Sequence, residues 1–280
     1  MPTTSAGRRA LAHHSYANLQ DVTFEHLHWV VAIDFDAQRL TGSAEYTFTY
    51  HHRDVSSADP TAHKAPVLVL DTHHLSVEAV FVDGKRVHYE LQQPQHEVFG
   101  SALVVPITAH AKKVKVQYTT TKASSGLQWL PRELTAGKIY PFLFTQCQAI
   151  HARSIVPSPD TPSAKFTYTA HVTVPEWATV LLSAIADEST KNRHKDIEDA
   201  AAAANGKRRV RFQQQVPIPS YLLAIAAGRL ESAELSARSR VWAEPTVVAR
   251  AAHEFAQTEA FLRHAEEITG QEYVWKRYDL

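Results

Sequence analysis

The sequence predicts a mainly β protein built from antiparallel sheets, and three observations carry that reading. Short segments rich in β-branched and aromatic residues fill the first two thirds of the chain: FEHLHWVVAIDFDAQ, TGSAEYTFTYHH, APVLVLDT, SVEAVFVDGKRVHYEL, SALVVPIT and KKVKVQYTTT. Turn signals separate them where a parallel α/β fold would need crossover helices. Helical spacing of any length first appears after Pro245.

Two of the turns have a mechanism. Asp83-Gly84 lies between VEAVFV and KRVHYEL, and such a pair closes a hairpin because glycine takes positive φ without a Cβ clash. Asp36-Ala37-Gln38 sits in the same way ahead of RLTGSAEYTFTY. A second strand group starts near residue 165 with AKFTYTAHVTVP, TVLLSAIAD, RRVRFQQQVPIP and YLLAIAAGRLES. Between its middle members, ESTKNRHKDIEDAAAAANGKRR reads as an elongated, solvated hairpin loop with a short helix over IEDAAAAA and an Asn205-Gly206 turn. From Pro245, a good first helical residue, TVVARAAHEFAQTEAFLRHAEEITG predicts one long helix ending at Gly270. The expected organisation is a flexible tail over 1–19, a β domain over 20–228 and the start of a helix-containing domain over 229–280.

The 280 residues carry 29 basic and 29 acidic side chains. Zero net charge argues against nucleic acid or an anionic membrane as the main partner. The polar start MPTTSAGRRALAHHSYANLQ contains no signal-like apolar stretch, and no run of transmembrane length occurs. Cys147 has no cysteine to pair with, so a reducing, cytoplasmic setting is expected. Met1 reads as a natural start, whereas the aromatic segment YVWKRYDL reads as a cut inside a longer protein.

Chemistry is harder to find. The 17 histidines include the pairs His13-His14, His51-His52 and His73-His74, and neighbours on a strand face opposite ways. His26 and His28 share a face, but two imidazoles without a third ligand are a weak metal site. His253-Glu254-Phe255-Ala256-Gln257 nearly spells the metalloprotease H-E-x-x-H, with an amide where the second zinc-binding imidazole belongs. It reads as an ordinary amphipathic helix, so no zinc site is expected there. No G-x-S-x-G elbow, P-loop or dinucleotide-binding glycine pattern occurs. Cys147, with His151 four residues on, would be a nucleophile only in an electropositive, accessible setting. Gln146 and Gln148 alternate about it, and in extended geometry both amides project together toward one ligand. A bonded structural loop is the competing reading.

The stretch QCQAIHARSIVPSPDTPSAKFTYTA resembles the Q-x-[EQ]-x-x-x-A/C-R … P-x-x-D-x-P-[SA]-x-K block of the M1 zinc aminopeptidases. With Gln where most of that family has Glu, it is most similar to the leukotriene A4 hydrolase and aminopeptidase B branch. HLHWVVAIDFDAQRLTGSAEYTF, LVLDTHHLSVEAVFVDG, SSGLQWLPRELTAGKIYPFLF, QQVPIPSYLLAIAAGRLES and YVWKRYDL extend the likeness over about residues 20–280. Ser158, where relatives often have Cys, and the longer 188–209 loop depart from it.

The resemblance implies a saddle-shaped, antiparallel multi-sheet N-terminal domain followed by the truncated start of an α/β thermolysin-like catalytic domain. It implies a full-length parent that uses one zinc to remove residues from peptides with a free N-terminus, with epoxide hydrolysis as a further activity of the branch. The zinc motif would follow the last residue given, leaving this chain inactive alone and partnered by the remainder of its catalytic domain. Gln148 matches the position that contacts the substrate amine, with Gln146 and Cys147 beside it in the peptide-binding loop. The alternatives are a non-catalytic β-sandwich interaction module and a Cys-dependent hydrolase.

Overall fold

Alternation of side chains along a strand decides what each sheet buries. The computed structural model describes residues 14–51, 65–94, 96–187 and 197–280. Its strands are β1 (Val22–Asp34), β2 (Arg39–Tyr50), β3 (Val67–Thr72), β4 (Leu75–Val82), β5 (Lys85–Val87), β6 (Glu90–Leu91), β7 (Ser101–Pro106), β8 (Lys113–Thr120), β9 (Leu127–Leu130), β10 (Phe142–Thr145), β11 (Lys165–Pro175), β12 (Thr179–Leu182), β13 (Ile185–Ala186), β14 (Lys207–Pro219), β15 (Ile225–Gly228), β16 (Glu231–Glu234), β17 (Ser239–Ala243) and β18 (Tyr278–Asp279). Three helices accompany them: α1 (Ile197–Ala204), α2 (Val248–Glu254) and α3 (Thr258–Thr269). The chain divides into two units, one of Met1–Leu127, Gln146–His171 and Pro217–Leu223, the other of Gln128–Thr145, Val172–Val216 and Ala224–Leu280.

In the first unit, the sheet order is β11-β1-β2-β8-β4-β5, and β3-β7-β6 form a smaller sheet. β1 and β2 pair antiparallel from Val22 opposite Tyr50 to Asp34 opposite Arg39, with one irregularity between Phe24 and His26. That bulge switches the parity of burial: Val22 and Phe24 face inward before it, then Leu27, Trp29, Val31 and Ile33 after it. Fully buried aromatic and aliphatic side chains such as Phe48, Leu68 and Phe166 each contribute about 1.5–3 kcal/mol to this core. The expected hairpin is present, with Val82 opposite Lys85 and positive φ at Asp83 (48°) and Gly84 (80°). At the other expected turn, Ala37 N donates to Asp34 Oδ1 at 2.9 Å, and Gln38 takes φ 53°.

Residues 14–18, assigned from sequence to a loose tail, are tied into this unit. Ser15 Oγ and Tyr16 N donate to the Asp71 carboxylate, each at 2.6 Å, and Asn18 bonds the backbone of Val67 and Val69. Residues 1–13, including His13, and residues 52–64, including His52, lie outside the described residues.

The second unit holds the sheet β12-β15-β10-β9, the pair β13-β14 and the sheet β16-β17-β18. β18 runs parallel to β17, an exception to the antiparallel pattern the sequence suggested. The Glu244 carboxylate accepts the N–H groups of Ala136 and Gly137 at 2.6 Å each, pinning the 131–140 loop. The expected short helix over IEDAAAAA and the Asn205-Gly206 turn after it are both present, with Asn205 N bonded to Ala202 O and Gly206 at φ 65°. One further expectation is corrected here. The single helix expected from Pro245 to Gly270 is two helices: Pro245 lies in the preceding turn, and the helical run breaks at Phe255–Gln257. Thr258 Oγ1 donates to Phe255 O at 2.7 Å, diverting a carbonyl from the helical ladder.

Candidate functional site

The segment after β10 is held by hydrogen bonds from three directions, all within the first unit. Gln146 N donates to Gly126 O at 3.0 Å, and His151 N closes a turn on Cys147 O at 2.8 Å. Between these anchors the alternation expected from extended backbone holds for exposure: Gln146 and Gln148 are exposed and Cys147 is buried. The peptide bond between Gln148 and Ala149 is cis. Gln146 Oε1 accepts Gln148 N at 3.3 Å, so part of one amide is spent on the loop itself. The Gln148 side chain has no hydrogen-bond partner among the described residues.

Cys147 lacks the accessible, electropositive setting that a nucleophile needs. Its side chain is 2% exposed, and burial, then the negative charge of Asp160, push its thiol up to about 12. A thiol so placed stays protonated at neutral pH, which removes the nucleophile reading and leaves packing as the role its burial shows.

Below the turn, the sheet supplies hydroxyl donors. Trp29 Nε1 donates to Tyr118 OH at 2.8 Å, and Tyr118 OH passes a hydrogen bond to Ile155 O at 2.9 Å. Tyr46 OH donates to Pro157 O at 2.9 Å. Both phenols are fully buried, and desolvation raises their pKa, so they remain donors.

On the far side of the turn, Arg153 is fully buried and spends its guanidinium on the chain around it. Nε donates to Asp160 Oδ2 at 3.0 Å, Nη1 to Phe99 O at 2.8 Å, and Nη2 to His14 O at 2.8 Å and Asp160 O at 3.0 Å. Asp160 also accepts Arg153 N and, at 2.6 Å, Ser220 Oγ, while its own N–H donates to Asp71 Oδ2. Burial pushes the Asp71 carboxyl above its ordinary value, opposed by Arg153 and by the donors Ser15, Tyr16 N and Asp160 N. The backbones of Asp71 and Ser158 exchange both hydrogen bonds, whereas Ser158 Oγ is buried with no partner among the described residues. The sequence reading named none of Arg153, Asp160 or Asp71 for this role. The Arg and Asp of the motif were visible, but not that they meet.

The other chemical candidates resolve into packing. His26 bonds Thr167 Oγ1 at 2.7 Å and Thr169 Oγ1 at 3.1 Å, and His28 bonds Thr169 Oγ1 at 3.0 Å, so both histidines zip β1 to β11. His253 lies near the end of α2, whereas Gln257 caps α3, so the i, i+4 geometry of a zinc helix is absent there. Among the described residues no group of three or more His, Cys, Asp or Glu is arranged to hold a metal, so a zinc ion does not fit the donor sets they offer. No described helix is long and apolar enough to cross a membrane.

Comparison with known proteins agrees with this geometry. The peptidase M1 N-terminal domain family matches residues 23–222. Leukotriene A-4 hydrolase of Xenopus laevis is 35% identical over 271 residues, covering 95% of this chain and 41% of that protein. Leucine aminopeptidase 2 of Yarrowia lipolytica is 36% identical over 252 residues, covering 89% of this chain and 34% of the relative. The native yeast leukotriene A4 hydrolase structure superposes with a TM-score of 0.82 at 32% identity, over 100% of this chain and 40% of that one. The chain thus spans about two fifths of the length of such relatives. A mainly β chain whose Gln-Cys-Gln segment folds into a buttressed turn, and whose matches run from β1 into β14 and beyond, belongs to the peptidase M1 N-terminal domain family.

Proposed function

We propose that this chain serves a zinc-dependent aminopeptidase that removes N-terminal residues from peptides. In this reading residues 20–228 are its N-terminal β domain and residues 229–280 begin its catalytic domain. Gln148, with Gln146 beside it, receives the free amine of the peptide. The observation that carries the reading is the state of Gln148: an exposed amide, unbonded among the described residues, at the tip of a turn whose base is fastened to the fold. An amide offers an acceptor for an ammonium and donors for a carbonyl, the two polar groups at a peptide's first residue.

Among the described residues no three His, Cys, Asp or Glu converge as zinc ligands would, so binding and orientation are the work this reading assigns to them. The absence of a second cysteine and the buried state of Cys147 support a reducing compartment, which we take to be the cytoplasm.

The experiment is steady-state kinetics of the full-length protein and its Gln148→Ala variant on an aminoacyl amide that releases a fluorescent amine. A fall in kcat/KM of about tenfold is expected, the loss of one substrate hydrogen bond of about 1.4 kcal/mol. A value within about twofold of wild type would make Gln148 a structural residue and sink the assignment.

A further inference from the structure

We propose that Ser125 and His151 are positioning residues for the turn that presents Gln148, an inference that rests on the amine-binding reading above. Residues 147–151 form the turn closed by His151 N on Cys147 O at 2.8 Å. Its base is bonded to the short segment Ser124-Ser125-Gly126 on both sides. On the entry side Gln146 N donates to Gly126 O. On the exit side Ser124 Oγ donates to Ser154 O at 2.7 Å, Gly126 N donates to Ser154 Oγ at 2.8 Å, and Ser154 Oγ donates to His151 O at 2.7 Å.

The two segments are in direct backbone contact. A Cβ added at Gly126 would lie 2.8 Å from His151 O and 2.9 Å from both Ser154 Oγ and Ile155 Cγ2. The clasp is the contact between Ser125 Oγ and His151 Nδ1 at 2.7 Å, made by a side chain of the turn itself. Both partners are half-buried, unlike Arg153 and Asp160, which anchor the fold. The serine hydroxyl can donate to a neutral ring or accept from a ring N–H, so the pair forms with either tautomer and with the imidazolium.

Gln148 lies three residues from His151 within the same turn, so loosening the clasp moves the amide more than it harms the fold. A neutral amide gains less from an ammonium than a carboxylate would, which leaves its contribution dependent on placement. Misplacement of a binding group by about an ångström costs up to about a hundredfold in rate. Ser125→Ala and His151→Ala are therefore expected to raise KM for an aminoacyl amide by about five- to tenfold, with kcat within about twofold. The double variant should be no worse than either single one. His151→Asn, whose Nδ2 falls where Nδ1 stood, should return KM to within about twofold of wild type.

The test is the kinetics of these four variants and Gln148→Ala in the full-length protein, with thermal melts to establish that each folds. If Gln148→Ala raises KM while the Ser125 and His151 variants leave it unchanged, this inference fails and the amine-binding reading stands. A change confined to kcat, multiplying effects in the double variant, or no rescue by His151→Asn would each overturn it as well. If Gln148→Ala has no effect, or the full-length protein hydrolyses no aminoacyl substrate, the amine-binding reading fails and takes this inference with it. Should Ser125→Ala or His151→Ala not fold, the ratio between His151→Asn and His151→Gln decides, because the Gln amide cannot reach the Nδ1 position.

Discussion

Arg153 and Asp160 stand seven residues apart in the chain and form a fully buried ion pair, Nε 3.0 Å from Oδ2. A pair so buried is not in itself strong evidence of stability, because desolvation of both ions offsets their attraction. Its worth lies in what would remain if one partner left. Asp71 Oδ1 lies 3.8 Å from Arg153 Nη1, so loss of the guanidinium strands two carboxylates and the carbonyls of Phe99 and His14.

Arg153→Met is accordingly expected to cost about 3–5 kcal/mol. Arg153→Lys should recover little, since an ammonium lacks the planar fork that reaches four acceptors at once. Urea unfolding of the described β-rich protein measures both. Midpoints near wild type for the two variants would mean the network is dispensable.

A smaller effect of opposite sign is expected at Ser158. Its hydroxyl is buried without a partner among the described residues, while its backbone bonds to Asp71 are independent of the side chain. Ser158→Cys fills the same space with a weaker polar group, and the unfolding free energy should rise by up to about 1 kcal/mol. A drop of that size instead would reveal a hydrogen bond made by the hydroxyl.

Cys147 supplies a direct chemical check. Its buried thiol, pushed up to about 12, should react with a thiol-alkylating reagent at least about a hundredfold more slowly in the folded protein than in urea. Rapid labelling of the native state would reopen the nucleophile reading. Mass spectrometry of timed quenches gives the two rates.

His26 ties stability to pH. Burial, then the neighbouring His28 and Lys113, lower its pKa from the ordinary 6.5. The unfolded chain therefore binds this proton more tightly than the folded one. The stability at stake is fully present above 6.5 and is lost as pH falls below it toward the lower folded value. His26→Gln should flatten that part of the decline, because Gln does not titrate and still reaches Thr169. Melting temperatures of both proteins between about pH 7.5 and about pH 5 test this; parallel curves would assign the decline to other groups.

How much of this could be read in the chain depends on distance along it. The Asp83-Gly84 hairpin needs only its own residues, and its sequence signal became two positive φ angles in the structure. The inward face of β1 was only half legible, because the bulge between Phe24 and His26 shifts the parity without a glycine to announce it. The break between α2 and α3 escaped notice because Phe255-Ala256-Gln257 has ordinary helical propensity, and a threonine hydroxyl decides the matter. At the site, alternation foresaw which way Gln146, Cys147 and Gln148 face. It could not reveal that Ser125 bonds His151, or that Arg153 bonds the carbonyls of Phe99 and His14, since those contacts join segments that the sequence separates by strands. The resemblance supplied the motif; the fold supplied the reason for its Arg and Asp.

The charge of residue 148 carries the last expectation. A carboxylate facing an ammonium makes a charge-assisted hydrogen bond of about 1.5–3 kcal/mol, against about 0.5–1.5 for a neutral amide. Gln148→Glu is nearly isosteric, and the Gln148 side chain has no hydrogen-bond partner among the described residues, so the substitution breaks no existing bond of the side chain. If Gln148 holds the substrate amine, the Glu variant should bind cationic aminoacyl substrates about as well as wild type or up to about tenfold tighter. It should lose ground on an analogue whose acetylated amine no longer offers a charge to the carboxylate, and more on one whose amine is replaced by an anion, because like charges then face each other. The ratio of kcat/KM for the free-amine substrate over its acetylated analogue, measured for wild type, Gln148→Glu and Gln148→Ala in the full-length protein, isolates this contact from general changes in activity. The ratio should rise with Glu and fall with Ala; one that is the same for all three would place the amine elsewhere.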